Sequence, residues 1–229
     1  MTTATPRPTD LVPAPLRRPV TVVAGVAVVV FAVLAIRYAG TSAAGRIDIH
    51  VDEVIDPVGS AHRWLVTHAT VFGSPPFVVL FAFAVAALCL GLGRRRLAVL
   101  AVAGPGVTGV ATTLLKPALG RTIEGGFAFP SGHTGGATSL GLILALLVIS
   151  LVRPGRTGGL AVLAVGALAA GGAVGSAMVA SNAHYPTDAI GGFCTAVIVV
   201  LGLALLLDRI PPVRRHGRPT GHDRAPSAG

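Results

Sequence analysis

Apolar residues in this chain do not recur at the 3.6- or 2-residue period of a half-buried helix or strand. They are gathered into long blocks almost free of charge. Uncharged intervals run over residues 19–36, 64–93, 97–115, 134–152, 157–183 and 189–207. An interval such as 97–115 rises about 28 Å as a helix, close to the ~30 Å hydrocarbon core of a bilayer. A helix also satisfies its backbone hydrogen bonds within itself, which lipid requires. The pattern therefore predicts an all-α bundle of six transmembrane helices. Within 64–93 the span is expected over 76–93, after a short segment on the membrane surface.

Composition agrees with that solvent. Of 229 residues, 52% are hydrophobic and 12% charged, about half the charged share of a soluble domain. The net charge of +9 does not point to nucleic acid, because the arginines sit mainly at the ends of apolar blocks, where they report topology. With the N-terminus inside, thirteen of the eighteen Lys and Arg residues fall on the cytoplasmic side. Arg37, Arg46, Arg63, Lys116 and Arg121 fall on the other. Both termini are accordingly expected in the cytoplasm, in a multi-pass protein of the cytoplasmic membrane. Arg17 and Arg18 followed by an apolar run and Ser42-Ala43-Ala44 also resemble a signal peptide, but the run is longer than most signal cores and is read as a retained anchor. Residues 1–16 and 211–229 read as disordered cytoplasmic tails around one membrane domain over 17–210. Cys89 and Cys194 lie inside apolar blocks and read as small hydrophobes.

In this topology the polar residues of the outer side fall in two short loops. One carries Lys116 and Arg121 and ends in Pro130-Ser131-Gly132-His133; the other runs from Ser181 through His184 to Asp188. Each opens the next helix, so their contents meet at one depth. A helix start offers unpaired N–H groups and the positive end of the macrodipole, which makes Ser131 and Gly132 an anion site. Lys116 and Arg121 add fixed positive charge suited to phosphate oxygens. Four residues apart, Asp188 can orient the ring of His184 and leave a nitrogen free to attack phosphorus. His133 can protonate the leaving oxygen. A histidine at a membrane interface is often just solvated, and an Asp in a first helical turn is often just a cap. Ionisable groups gathered at membrane depth are costly and point to function.

These residues resemble the type-2 phosphatidic acid phosphatase (PAP2) superfamily, whose pattern is Lys, six residues, Arg-Pro; then Pro-Ser-Gly-His; then Ser-Arg, five residues, His, three residues, Asp. Pro130 to His133 match the second motif in full, His184 and Asp188 the end of the third, and Lys116 the start of the first. The resemblance covers about residues 97–207 and implies a six-helix fold. It also implies a phosphohistidine on His184 assisted by Asp188, His133 as general acid, no metal or other cofactor, and phosphate held by Lys116, arginine and the Ser131-Gly132 backbone. The departures are Ile123-Glu124 in place of Arg-Pro, and Ala177 and Met178 in place of Ser-Arg. Arg121 is the expected substitute for one lost cation.

The expected function is hydrolysis of a lipid phosphate or diphosphate on the extracytoplasmic face, with a phosphorylated membrane lipid as the partner. A phosphotransferase, and a weakly catalytic binding or scaffold protein of the same fold, are the alternatives. A transporter is disfavoured, because the polar residues lie at helix ends and not at the midplane. Residues 46–56, with Asp48, Asp52, Glu53 and Asp56, read as a short interfacial helix with ordinary surface charges.

Overall fold

The computed structural model describes residues 10–210. Its helices in chain order are α1 (Ala14–Tyr38), α2 (Arg46–Ala61), α3 (Arg63–Gly73), α4 (Pro75–Gly91), α5 (Arg95–Leu119), α6 (Gly132–Val152), α7 (Arg156–Ala180) and α8 (Pro186–Arg209). A hairpin of β1 (Thr122–Ile123) and β2 (Gly126–Phe127) joins α5 to α6. Its turn residues Glu124 and Gly125 both have positive φ, 48° and 82°, the backbone of a tight hairpin turn.

Helices α1, α5, α6, α7 and α8 are each long and apolar enough to cross a membrane, and α3 with α4 forms a sixth candidate bent by 60° at Ser74. The chain is a multi-pass membrane protein in which five of the six expected spans are single long helices and the sixth corresponds to the bent α3–α4 pair. Pro75 and Pro76 open α4, where the missing N–H groups cost nothing. Large apolar side chains such as Val29, Ile36, Leu80, Phe83, Val110, Val165 and Leu206 face outward, the arrangement lipid favours.

Helix α6 is the most buried of the long spans and α1 the least. Small residues bring α6 and α7 together: a Cβ on Gly141 would collide with the carbonyl oxygen of Gly166, and one on Gly166 would meet the carbonyl of Gly141 2.6 Å away. Without a hydrophobic force between helices in lipid, such close backbone approach supplies the packing.

The arginine-rich segments gather at one end of the bundle. Arg94 donates to the Ser150 carbonyl, and the Asp208 carboxylate lies 3.9 Å from Arg96. Order there begins before the boundary expected at residue 17, because the N–H groups of Leu11 and Val12 donate to Asp208 at 2.8 and 2.9 Å. The remainder of both tails lies outside the described residues. Cys89 and Cys194 are buried and unpaired with each other.

Candidate active site

At the opposite end, the loops that open α6 and α8 meet. Ser131 caps α6: its hydroxyl oxygen accepts from the Thr134 hydroxyl at 3.1 Å and from the Thr134 N–H at 3.4 Å. The Ser131 N–H in turn donates to the Asp188 carbonyl at 2.9 Å. Closeness here depends on Gly192, whose Cβ would collide with the Ser131 carbonyl. The second and third sequence motifs are thus held together through backbone.

His184 is 7% exposed and Asp188 is fully buried. Asp188 reaches back to accept the Tyr185 N–H through Oδ2 at 2.9 Å, and the same oxygen lies 3.7 Å from His184 Nδ1. That ring nitrogen has no hydrogen-bond partner. Asp188 therefore faces the Nδ1 side of the ring. His133, on the first turn of α6, lies within electrostatic range of both His184 and Lys116. Lys116, near the end of α5, is within range of Asp188 and donates to the Phe127 carbonyl at 3.0 Å. Lys116, Ser131, Gly132, His133, His184 and Asp188 are thus brought together.

Arg121 is placed differently from the phosphate clamp expected of it. Its side chain is fully buried. Nη1 donates to Thr187 Oγ1 and Asp188 Oδ1, both at 2.6 Å, and Nη2 donates to Asp48 Oδ2 at 2.7 Å. Its carbon lies 4.2 Å from the Tyr38 ring centre and 4.5 Å from that of Tyr185. Two carboxylates, one hydroxyl and two aromatic rings, not a free anion, surround the terminal nitrogens of this guanidinium, while its buried Nε has no hydrogen-bond partner among the described residues.

Asp48 is the functional candidate missed in the sequence. It is not an ordinary surface charge but is fully buried. Its Oδ1 accepts from the Thr187 N–H at 2.9 Å and the Thr187 hydroxyl at 2.7 Å, and its Oδ2 also accepts from the Gly45 N–H at 2.9 Å. Burial pushes this carboxyl up, but the hydrogen bonds from Gly45, Thr187 and Arg121 outweigh it and hold its pKa below the ordinary value. Its neighbours on α2 gave no hint, since Asp52, Glu53 and Asp56 carry the same chemistry. Ile123 lies in the hairpin and Glu124 at its exposed turn. Met178 is buried against Ala137 and Val174 and lines a cavity of about 380 Å³ together with His133 and Ser181.

An apolar groove of about 760 Å³ leads to the site from the side of the bundle. Its walls are Val78, Val79 and Phe83 of α4 and Val102, Gly106 and Val110 of α5, and it ends at Lys116, Gly132 and His133. Among the described residues, no three His, Cys, Asp or Glu side chains are grouped as metal ligands.

Residues 105–211 match the sequence model described as the PAP2 superfamily. No curated protein matches the chain in sequence. In fold, the chain is similar to the first transmembrane PAP2 type phosphatidylglycerolphosphate phosphatase from Bacillus subtilis, known as a crystal structure. The TM-score is 0.61 and the identity 20%, over 83% of this chain and 98% of the other.

Proposed function

We propose, from the match of residues 105–211 to the PAP2 superfamily and the arrangement of the site, that this chain hydrolyses a lipid phosphate or diphosphate at the extracytoplasmic end of its helix bundle. The observation that carries this reading is the apolar groove that opens between α4 and α5 and ends at Lys116 and His133. Such a groove accepts an acyl or prenyl chain from the bilayer and leaves its phosphate at the only strongly polar end. A phosphatidylglycerolphosphate-like lipid, phosphatidic acid and a prenyl diphosphate all have that form.

In the proposed reaction His184 Nε2 attacks phosphorus as the bond to the leaving lipid oxygen breaks, and His133 gives that oxygen its proton. Asp188 stabilises the charge that develops on the His184 ring through Nδ1. Lys116 and the N–H groups at the start of α6 hold the phosphoryl oxygens. Water then attacks the phosphohistidine, with His133 taking its proton, and releases phosphate and free His184. No metal enters these steps, since the positive charge comes from Lys116 and the helix start.

Phosphate release from a panel of lipid phosphates by the purified protein in detergent tests the proposal. Release that persists in EDTA and is abolished by His184→Ala is expected. Release from no lipid would instead favour the binding or scaffold reading, for which Ile123 and Met178 stand in place of two cations, and release indifferent to His184→Ala would overturn His184 as the nucleophile.

A further inference from the structure

Asp188 carries two oxygens with separate duties. Oδ1 is held by Arg121 at 2.6 Å, and Oδ2 takes the Tyr185 N–H and faces His184 at 3.7 Å. An arginine meeting a carboxylate alone prefers a two-point fork that occupies both oxygens. Arg121 does not do this, because its second terminal nitrogen is drawn to Asp48 Oδ2 at 2.7 Å. Asp48 is itself anchored at four points: Arg121, Gly45 N–H, Thr187 N–H and Thr187 hydroxyl. A carboxylate has about four acceptor positions, so it has no freedom to release Arg121. The Tyr38 and Tyr185 rings lie 4.2 and 4.5 Å from the guanidinium carbon, and the side chain is fully buried among these partners.

We propose that Asp48 and Arg121 are positioning residues for the reaction: Asp48 holds Arg121 to a single-point contact with Asp188 Oδ1, so that Oδ2 stays turned toward His184. The surface helix α2 thereby becomes part of the catalytic apparatus, connected to the nucleophile through Asp48, Arg121, Asp188 and His184. Other charged groups near this line are Lys116, within electrostatic range of Asp188, and His133, within range of His184. Neither contacts Asp48 or Arg121 by a hydrogen bond. The inference rests on the hydrolase reading for its consequence, but the geometry it describes can be tested without turnover.

The experiment uses the full chain in detergent. The rate at which diethyl pyrocarbonate modifies His184, followed by peptide mass spectrometry, reads the ring's nucleophilicity, and kcat and KM on a lipid phosphate read turnover. Asp48→Asn is expected to slow both the modification of His184 and kcat by about tenfold, with KM within about twofold. In an Asp188→Asn background, adding Asp48→Asn should change neither further, because the effect passes through Asp188. Arg121→Lys, which keeps the buried charge but has one donor head, serves as a second variant should Asp48→Asn not fold, and should show the same dependence on Asp188. Binding of inorganic phosphate, measured by calorimetry, should stay within about twofold in Arg121→Lys. Equal slowing with and without Asp188 would reduce Asp48 to a structural staple. A tenfold loss of phosphate affinity in Arg121→Lys would make Arg121 a phosphate ligand. Either result overturns the proposal. A wild-type protein that shows coupled His184 reactivity but releases no phosphate from any lipid would refute the hydrolase reading and leave this geometry standing.

Discussion

The backbone N–H of Ser131 donates to the backbone carbonyl of Asp188 at 2.9 Å, so the start of α6 is tied through backbone to the residue whose carboxylate faces His184. Side-chain identity at these two positions does not create the bond. What it requires is close approach of α6 and α8, and Gly192 provides that.

Gly192→Ala is therefore expected to separate the two loops. Its methyl group would overlap the Ser131 carbonyl, an overpacking error that typically costs about 1–3 kcal/mol. Thermal unfolding in detergent should show the lower stability, and phosphate release should fall more than stability alone explains. Unchanged activity would mean that the register of the two loops is not needed for chemistry.

The groove makes a chain-length prediction. Gly106 faces open space within it, with nothing near the position of a Cβ. It lies ten residues before Lys116, about 15 Å along the helix. Gly106→Phe should raise KM for a long-chain lipid phosphate by about tenfold and leave a soluble short-chain phosphate ester unaffected. Equal effects on both substrates would place the tail elsewhere.

Met178 offers a gain of activity. With Arg121 committed to Asp48 and Asp188, the cavity that Met178 shares with His133 receives no arginine. Met178→Arg should add a charge-assisted contact to phosphate and raise kcat/KM by about tenfold, equivalent to ~1.4 kcal/mol. Steady-state kinetics on one lipid phosphate check this, and a fall would show that the cavity cannot seat the cation.

Acid should act through Asp48. Its carboxyl titrates below its ordinary value in the folded protein, so the stabilisation it contributes is complete above the unfolded pKa of about 3.9 and is withdrawn as pH falls through the folded value. Melting temperature followed from pH 6 downward, with the wild type and Asp48→Asn side by side, should show a loss below about pH 4 that the variant lacks. Parallel curves would mean that other carboxylates govern acid unfolding.

The arginine count predicts the sidedness of the bundle. Ala118 and Arg95 are exposed near opposite ends of α5. In intact cells, Ala118→Cys should react with an impermeant thiol reagent and Arg95→Cys should not, while the buried Cys89 and Cys194 stay silent. The reverse pattern would place the site in the cytoplasm.

The spans and the pairing of the two loops were legible in the sequence, because lipid imposes its constraint locally. An uncharged run near 20 residues must be a helix, and arginines mark one set of its ends. Pro130 to His133, His184 and Asp188 could be placed at one depth by the same count. The fate of Arg121 could not, since it depends on Asp48, 73 positions away, and on two tyrosine rings from other segments. Nor could Asp48 be told from Asp52 or Glu53 on the same helix. A charge in a membrane protein takes its role from the partner that offsets its desolvation, and the partners were chosen by the packing of α2 over the start of α8. The groove likewise is formed between α4 and α5 and closed by the start of α6, a relation between helices that no local run of residues encodes.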